Sequence, residues 1–475
     1  MGFPTVFPTG TTIYKKEKAC GGYTVFPSIH GALLIDMNGA ELNRWAGLGG
    51  FPNKILPGGY VIGSSGVRSS KKAYQDQLDL IQADFDGNVV WKWNKTELID
   101  DSKETGEPAA WQARQHHDYQ REGSPVGYFA PGLDPKPIGK TLILTHENVW
   151  NKDISDSLLI DDKVIEVDEQ GNIIWTWKAS DHFNEFGFDE EAKKVLRVNP
   201  NISGEAGGDW LHINSLSTLG PNKHYDNGDV RFHPDNLIMD CRNANILFIV
   251  EKSSGKIVYK LGPTFDENES IKKLGWIIGQ HHFHLIPKGL PGEGNFLVFD
   301  NGGQGGYGTP NASSPDGRNN AVRDYSRVLE FDPITLQIIW QYTPTEAGCL
   351  LFTDASKFYS SYISSAQRLW NGNTLITEGS DGRLIEVTPQ HEIVWEYINP
   401  HFNTIPNRQF EGYVTMNMIY RAYRVPYEWI PQLSKPLEVN VAPPDISAFR
   451  ITGAQPVGGR VTRVEGINPD RKSIT

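Results

Sequence analysis

Cysteine is scarce in this 475-residue chain: Cys20, Cys241 and Cys349 are the only three. They are too few and too scattered for a disulfide framework or a cysteine-based zinc site. No apolar run reaches the about 18 residues that a membrane-spanning helix needs, so the sequence offers no membrane segment. Basic runs are missing as well. Forty-five Lys and Arg stand against 57 Asp and Glu, a formal charge of −12, and a phosphate backbone would meet a repulsive field, which excludes nucleic acid as a partner. The spaced acids of a calcium loop are absent. The opening residues MGFPTVFPTG contain no charged segment followed by an apolar one; the expectation is a chain without a secretory leader, hence cytoplasmic. The abundant residues are Gly (48), Pro (30), Tyr (18) and Trp (13), a composition of short strands and tight turns rather than long helices. At about 100–200 residues per domain, length alone suggests three domains.

An internal repeat replaces that estimate. Six segments share one pattern, an apolar strand, a turn rich in Gly, Asp or Asn, and a strand carrying aromatics: LLIDMNGAELNRW (33–45), LIQADFDGNVVWKW (80–93), VIEVDEQGNIIWTW (164–177), ILFIVEKSSGKIVYKL (246–261), VLEFDPITLQIIWQY (328–342) and LIEVTPQHEIVWEY (384–397). Each reads as a β-hairpin. A second, weaker hairpin lies between them, clearest at SSAQRLWNGNTLITEG (364–379) and FPNKILPGGYVIGSSG (51–66). Two hairpins make a four-stranded unit, and repetition of such units predicts an all-β, six-bladed β-propeller of antiparallel blades. Five inner hairpins are evident against six outer ones. We expect the sixth blade to combine VTMNMIYRAYRV (414–425) with an N-terminal strand such as TGTTIYKK (9–16), closing the ring by pairing the two termini. Residues 1–430 then form one domain, with 181–207 as an insertion and 431–475 as an extended surface tail. The repeated Trp residues read as packing between blades. The run GGQGGYG (302–308) follows a strand and precedes no evident helix, so it reads as a flexible rim loop or lid rather than a phosphate cradle.

In such a ring the start of each innermost strand, the end of the second and the start of the third lie at one rim and converge on a central funnel. The first class of position holds His116, His117, His212, Asn214, His281 and His282. The second holds His146 with Glu147, Arg242 with Asn243, and Asn301, and the third holds Ser326 and Arg327. A lone histidine at a strand end is more often a structural hydrogen-bonding residue than a catalyst. Three blades in succession delivering histidine to one axis reverse that weighting. Arg with imidazole suits a sulfate, phosphate or carboxylate, and imidazole serves as nucleophile, acid or base near neutral pH. The partner implied is a small aromatic or anionic molecule.

The segments DWLHINSL (209–216), GQHHFH (279–284), LVFDNGG (297–303), SRVLEF (326–331) and QRLWNGNTLITEGSDGRLIEVTPQHEIVWEY (367–397) resemble the bacterial arylsulfotransferases, and the likeness runs over roughly residues 25–425. The resemblance implies a six-bladed propeller. It also implies transfer of a sulfuryl group from a phenolic sulfate to another phenol through a sulfated histidine, without a nucleotide cofactor. Carried over by motif, His212, His281 or His282, and Arg327 hold the sulfuryl oxygens or move protons. The family's nucleophilic histidine is expected in a late blade, downstream of the arginine. Here no histidine lies between His284 and His391, and the corresponding strand reads FYSSYISSAQ (358–367).

Two enzymatic readings follow. In the first, His117, His212 or His281 takes the nucleophile's place in sulfuryl transfer. In the second, a lyase or hydrolase acts on an aromatic or carboxylated molecule, with the same histidines as acid and base, Arg327 as anion clamp, and Tyr119 or Tyr359 as proton donor. A variant of the second has His117, His146, His212 and His281 holding one metal ion; otherwise no cofactor is called for. A non-catalytic, partner-binding propeller is the third and weakest reading.

Overall fold

The computed structural model describes residues 8–68, 75–200, 208–406 and 412–444. Six antiparallel sheets form the ring of a β-propeller. From the axis outward, blade one comprises Tyr423–Val425, Tyr23–Ser28, Gly31–Ile35 and Glu41–Trp45. Blade two follows with Gly50–Leu56, Tyr60–Ser64, Leu80–Ala83 and Val89–Trp93. Blade three has Gln115–Arg121, Thr141–Val149, Leu159–Val167 and Ile173–Lys178, and blade four Ile213–Thr218, Leu237–Cys241, Ile246–Val250 and Ile257–Leu261. Blade five contains His281–Leu285, Phe296–Asp300, Arg327–Phe331 and Ile338–Tyr342. Blade six contains Ser365–Arg368, Thr374–Glu378, Arg383–Val387 and Ile393–Ile398.

All six outer hairpins coincide with the six repeats, and each carries a register shift beside its turn. Their aromatics join neighbouring blades. The indole of Trp45 donates to Asp84 O at 2.9 Å, that of Trp177 to Gly255 O at 2.9 Å, that of Trp340 to Pro389 O at 3.2 Å and that of Trp395 to Met37 O at 2.7 Å. Each accepting carbonyl lies at the outer hairpin turn of the next blade. The repeat therefore encodes a latch between blades as well as a hairpin, since a buried indole N–H requires an acceptor.

The ring closes through its termini, but not with the strand expected. Tyr23–Ser28 pairs with Tyr423–Val425 in blade one, whereas Gly10–Tyr14 pairs with Ile393–Ile398 as a fifth, outermost strand of blade six. Burial explains the exchange. YTVFPS is buried along its whole length and suits a place between two strands, while GTTIY is only intermittently buried and suits an edge. The segment 414–425 is also not one strand: Tyr413–Met416 pairs with Asn403–Pro406 in a separate hairpin. Closure is sealed by the Gln367 side chain of blade six, which bonds both the N–H and the C=O of Arg424, each at 2.8 Å.

Within 181–207, the helix Glu190–Val198 is capped by Asp189, whose carboxylate accepts from Ala192 N at 2.7 Å, and it buries Ala192, Val195 and Leu196. After residue 431 the chain, described as far as residue 444, runs along the outer edge of blades six and one: Val441 bridges Tyr14, and Val439 N donates to Asn38 Oδ1 at 3.0 Å. The Gly-rich run does not form a free loop. Gln304–Tyr307 pairs with Arg318–Val322, and Tyr307 Oη donates to Trp210 O at 2.7 Å, pinning the hairpin to blade four. No helix among the described residues is long and apolar enough to cross a membrane.

Candidate active site

At the rim where the innermost strands begin, their regular pairing breaks. Register shifts fall between Gln115 and Tyr119, between Ile213 and Ser215, and between His281 and His284. At these breaks His117, His212 and His282 adopt left-handed backbone conformations, with φ of 55°, 54° and 56°. That region is uncommon for a side chain larger than Asn or Asp and tends to collect at functional sites.

A cavity of about 520 Å³ opens here, lined by His117, Asp209, His212, Arg242, Asn243 and His281 on its polar side. Phe51, Ile29, Tyr362, Ile363, Met416, Met418 and Tyr420 supply its apolar side. Phe51 and Tyr420 lie with ring centroids 4.3 Å apart and form an aromatic wall beside His117. A mostly apolar hollow with a few convergent polar groups is the usual form of a small-molecule site.

His117, His212 and His281 each have Nδ1 engaged by a partner inside the protein. His212 Nδ1 lies 2.5 Å from Asp209 Oδ2, and His281 Nδ1 lies 2.8 Å from Asn301 Oδ1. Because Asn301 Nδ2 donates to Ser360 O and Ile363 O, its Oδ1 is the acceptor and His281 carries its proton on Nδ1. His117 Nδ1 sits 2.9 Å from His116 Nδ1, so one imidazole donates to the other. The His117 and His212 rings meet edge to face with centroids 4.4 Å apart. Burial, with neighbouring positive groups adding to it, pushes His117 and His281 well below the ordinary imidazole range. Burial thus favours the neutral form of these two imidazoles, and Arg242 brings a guanidinium to the lining. Its Nη1 donates to Asn243 Oδ1 at 3.0 Å, and its backbone N donates to His212 O at 3.1 Å.

Of the other residues expected at the site, several support it from behind. Asn301 orients His281. Asn214 is a strut: Nδ2 donates to Gln280 O at 2.8 Å, and its carbonyl accepts from Arg421 at 3.0 Å. His282 is buried beneath the floor, its ring 4.5 Å from that of His284. His116 and His146 are buried in blade three and stack at 3.6 Å. Four expectations are corrected. Arg327 is not an anion clamp: Nε and Nη2 bond Asp300 Oδ2 at 2.8 and 2.7 Å, and Nη1 and Nη2 donate to Leu274 O and Trp276 O at 3.2 and 2.8 Å. Tyr119 is no proton donor, because its hydroxyl is sealed between the carbonyls of Pro52 and Ile62 at 3.0 and 2.9 Å. Tyr359 stands outside the cavity lining, its N–H donating to Glu378 at 3.1 Å; Tyr362 takes the place beside the ligand space. Nor do His117, His146, His212 and His281 form one metal cage. His146 turns away to Asp76, with Nδ1 2.5 Å from Oδ1, and the group that converges instead is His116, His146 and Asp162.

Reading the sequence also missed Asp209, Phe51, Tyr420 and His401, all on the lining. Asp209 was within reach, three residues before His212 in DWLH. Phe51 and Tyr420 carry no local sign, since each belongs to a different blade.

The model of the family described as "Arylsulfotransferase (ASST)" matches residues 132–421. No curated protein matches the chain. Among solved structures, a protein of unknown function from Bacteroides caccae aligns at 10% identity and TM-score 0.40, over 86% of this chain and 99% of that one. A putative 6-phosphogluconolactonase from Bacteroides fragilis aligns at 8% identity and TM-score 0.33, over 89% and 100%. A streptogramin B lyase aligns at 10% identity and TM-score 0.33, over 86% and 90%. Likenesses this distant say nothing of substrate or reaction.

Proposed function

The chain belongs to the arylsulfotransferase family, and from that premise we propose that it transfers a sulfuryl group between phenolic compounds, with His212 as the nucleophile. The observation that carries the reading is the Asp209–His212 pair, 2.5 Å apart, on the wall of an aromatic-lined cavity beside Arg242. Asp209 accepts the Nδ1 proton, which leaves the Nε2 lone pair for attack and favours the positive ring that attack creates. The aryl group of the donor lies against Phe51 and Tyr420, and Arg242 holds sulfuryl oxygens.

In the first half-reaction His212 Nε2 attacks sulfur, the bond from sulfur to the phenolic oxygen breaks, and the phenolate departs with the electron pair to be protonated by solvent. In the second, the hydroxyl of the acceptor phenol gives its proton to His281 Nε2 while its oxygen attacks sulfur. The nitrogen–sulfur bond then breaks, restoring His212, and His281 returns the proton to water. His281 suits this role because Asn301 keeps its proton on Nδ1 and burial keeps the ring neutral, so Nε2 is a proton acceptor.

The test is turnover of 4-nitrophenyl sulfate with phenol as acceptor. Release of nitrophenol matched by phenyl sulfate, with ping-pong kinetics, is expected; no desulfation across a panel of aryl sulfates overturns the reading. A second reading, a lyase or hydrolase on an aromatic or carboxylated molecule, is favoured by one observation. Tyr362 and Ile363 occupy the late-blade edge of the cavity, where the resemblance places the family's nucleophilic histidine. It predicts turnover that needs no acceptor phenol and depends on His281 as base.

A further inference from the structure

Behind the cavity, blade three holds a group of side chains that the transfer chemistry does not use. His116, His146 and Asp162 come from its three inner strands and are fully buried. His146 Nδ1 is 2.5 Å from Asp76 Oδ1, and Asp76 is itself paired with Arg114 at 2.7 Å, so the His146 proton is held on Nδ1. His116 Nδ1 is engaged by His117 Nδ1. The Nε2 atoms of both imidazoles have no hydrogen-bond partner, although both are buried. They face the same atom, Asp162 Oδ1, at 3.3 Å from His116 and 3.8 Å from His146. The Asp162 carboxylate accepts only weak bonds, at 3.2 Å, from Ile213 N, and its ion-pair contacts among the described residues are these two imidazoles, with no Lys or Arg.

A buried carboxylate between two bare imidazole nitrogens is a costly arrangement without a cation. We propose that His116, His146 and Asp162 bind one divalent first-row transition ion, of the zinc kind, inside blade three. Three observations fit. The donor set of two neutral imidazoles and one carboxylate suits such an ion. The separations of 3.3 and 3.8 Å are close to the ~3.4 Å edge of a tetrahedron whose ligands lie about 2.1 Å from zinc. The carboxylate of Asp76 on His146 Nδ1 is the outer partner that metal-binding histidines usually have, fixing tautomer and ring orientation. The rings stack within 12° of parallel, so both must turn slightly to aim their lone pairs at one ion.

The ion has a consequence for the cavity. With Nε2 of His116 bound to metal, its proton sits on Nδ1 and donates to His117 Nδ1. His117 then carries its own proton on Nε2, as a hydrogen-bond donor for an anionic ligand. Blade three thus sets a tautomer in the funnel through a metal that substrate never touches. The binding claim stands apart from the sulfuryl-transfer reading, since it requires no turnover.

The experiment is elemental analysis of the purified full chain, followed by removal of metal with chelator and reloading with Co²⁺ or Zn²⁺. About one equivalent of bound ion is expected, with visible d–d bands for Co²⁺ and a higher Tm on reloading. X-ray absorption of the Zn²⁺ form is expected to show two imidazoles and one carboxylate. His146→Ala and Asp162→Asn are expected to lose the ion, and His212→Gln to keep it. The absorption measurement needs no variant, so misfolding of either one leaves the test intact. No bound ion after reloading overturns the proposal, and so does a spectrum of three imidazoles, which would place the metal among the funnel histidines.

Discussion

The outer hairpins and the innermost strands of the same six blades obey different rules. Every outer hairpin repeats the same register shift beside its turn, and four of them offer an indole to the next blade. The innermost strands diverge. Blades three, four and five break register at the rim and place histidine there in left-handed conformations, while blade six pairs from Ser365 to Arg368 without a shift. The outer hairpins solve one packing problem six times. The inner strands are released from that constraint at one end, and that is where polar side chains gather. Strain and chemistry share a location because the regular periphery holds the ring closed whatever the rim does.

Substitutions at the two places should separate accordingly. The largest effect belongs to His212→Gln, expected to lower sulfuryl transfer by about 10⁴-fold with little change in Tm, as for loss of a catalytic nucleophile. A loss under tenfold would remove His212 from that role. Asp209→Asn keeps shape but withdraws the acceptor for His212 Nδ1, and a fall of about 10²–10³-fold in kcat is expected. The third prediction concerns stability. Burial pushes the Asp240 carboxyl up to about 7, against the pull of bonds from Ser215 and Phe283 N and the positive charge of Arg421. Its folded pKa therefore lies above its unfolded one. The native state holds the proton more tightly, and the stability so gained is complete below about pH 4 and lost as pH rises through 7. Melting of Asp240→Asn should show a flatter decline between pH 5 and 8 than the unaltered chain; an unchanged slope would contradict this. The smallest effect lies in the periphery. Asp36 caps the outer turn of blade one by accepting from Asn38 N and Ala40 N at 2.9 and 2.8 Å. Asp36→Ala should cost about 1 kcal/mol, measured by denaturant unfolding, and leave turnover unchanged.

The same contrast explains what could be read from the sequence. The outer hairpins were legible because a pattern stated six times survives local noise, and the propeller follows from them. His117, His212 and His281 were legible because they share a position in that pattern. Arg327 holds an equivalent position, yet its partner Asp300 lies across the strand pair, and no local signal distinguishes an arginine bound to a carboxylate from one facing a ligand. Asp76 and Asp162 were hidden for a related reason. In a chain of turns an aspartate reads as a turn former, and only the fold shows these two pointing inward at imidazoles. The closing strand was misplaced because GTTIY and YTVFPS both alternate acceptably, and what separates them is burial against the neighbouring blade.

The central claim is that His212 carries the sulfuryl group. Rapid quenching after mixing with 4-nitrophenyl sulfate in the absence of acceptor, followed by proteolysis and tandem mass spectrometry, tests it most directly. The account predicts one added SO₃ on His212, in the peptide that contains Asp209, and its loss when phenol is added before the quench. An adduct on His117 or His281, or none at all while nitrophenol is released, would contradict it.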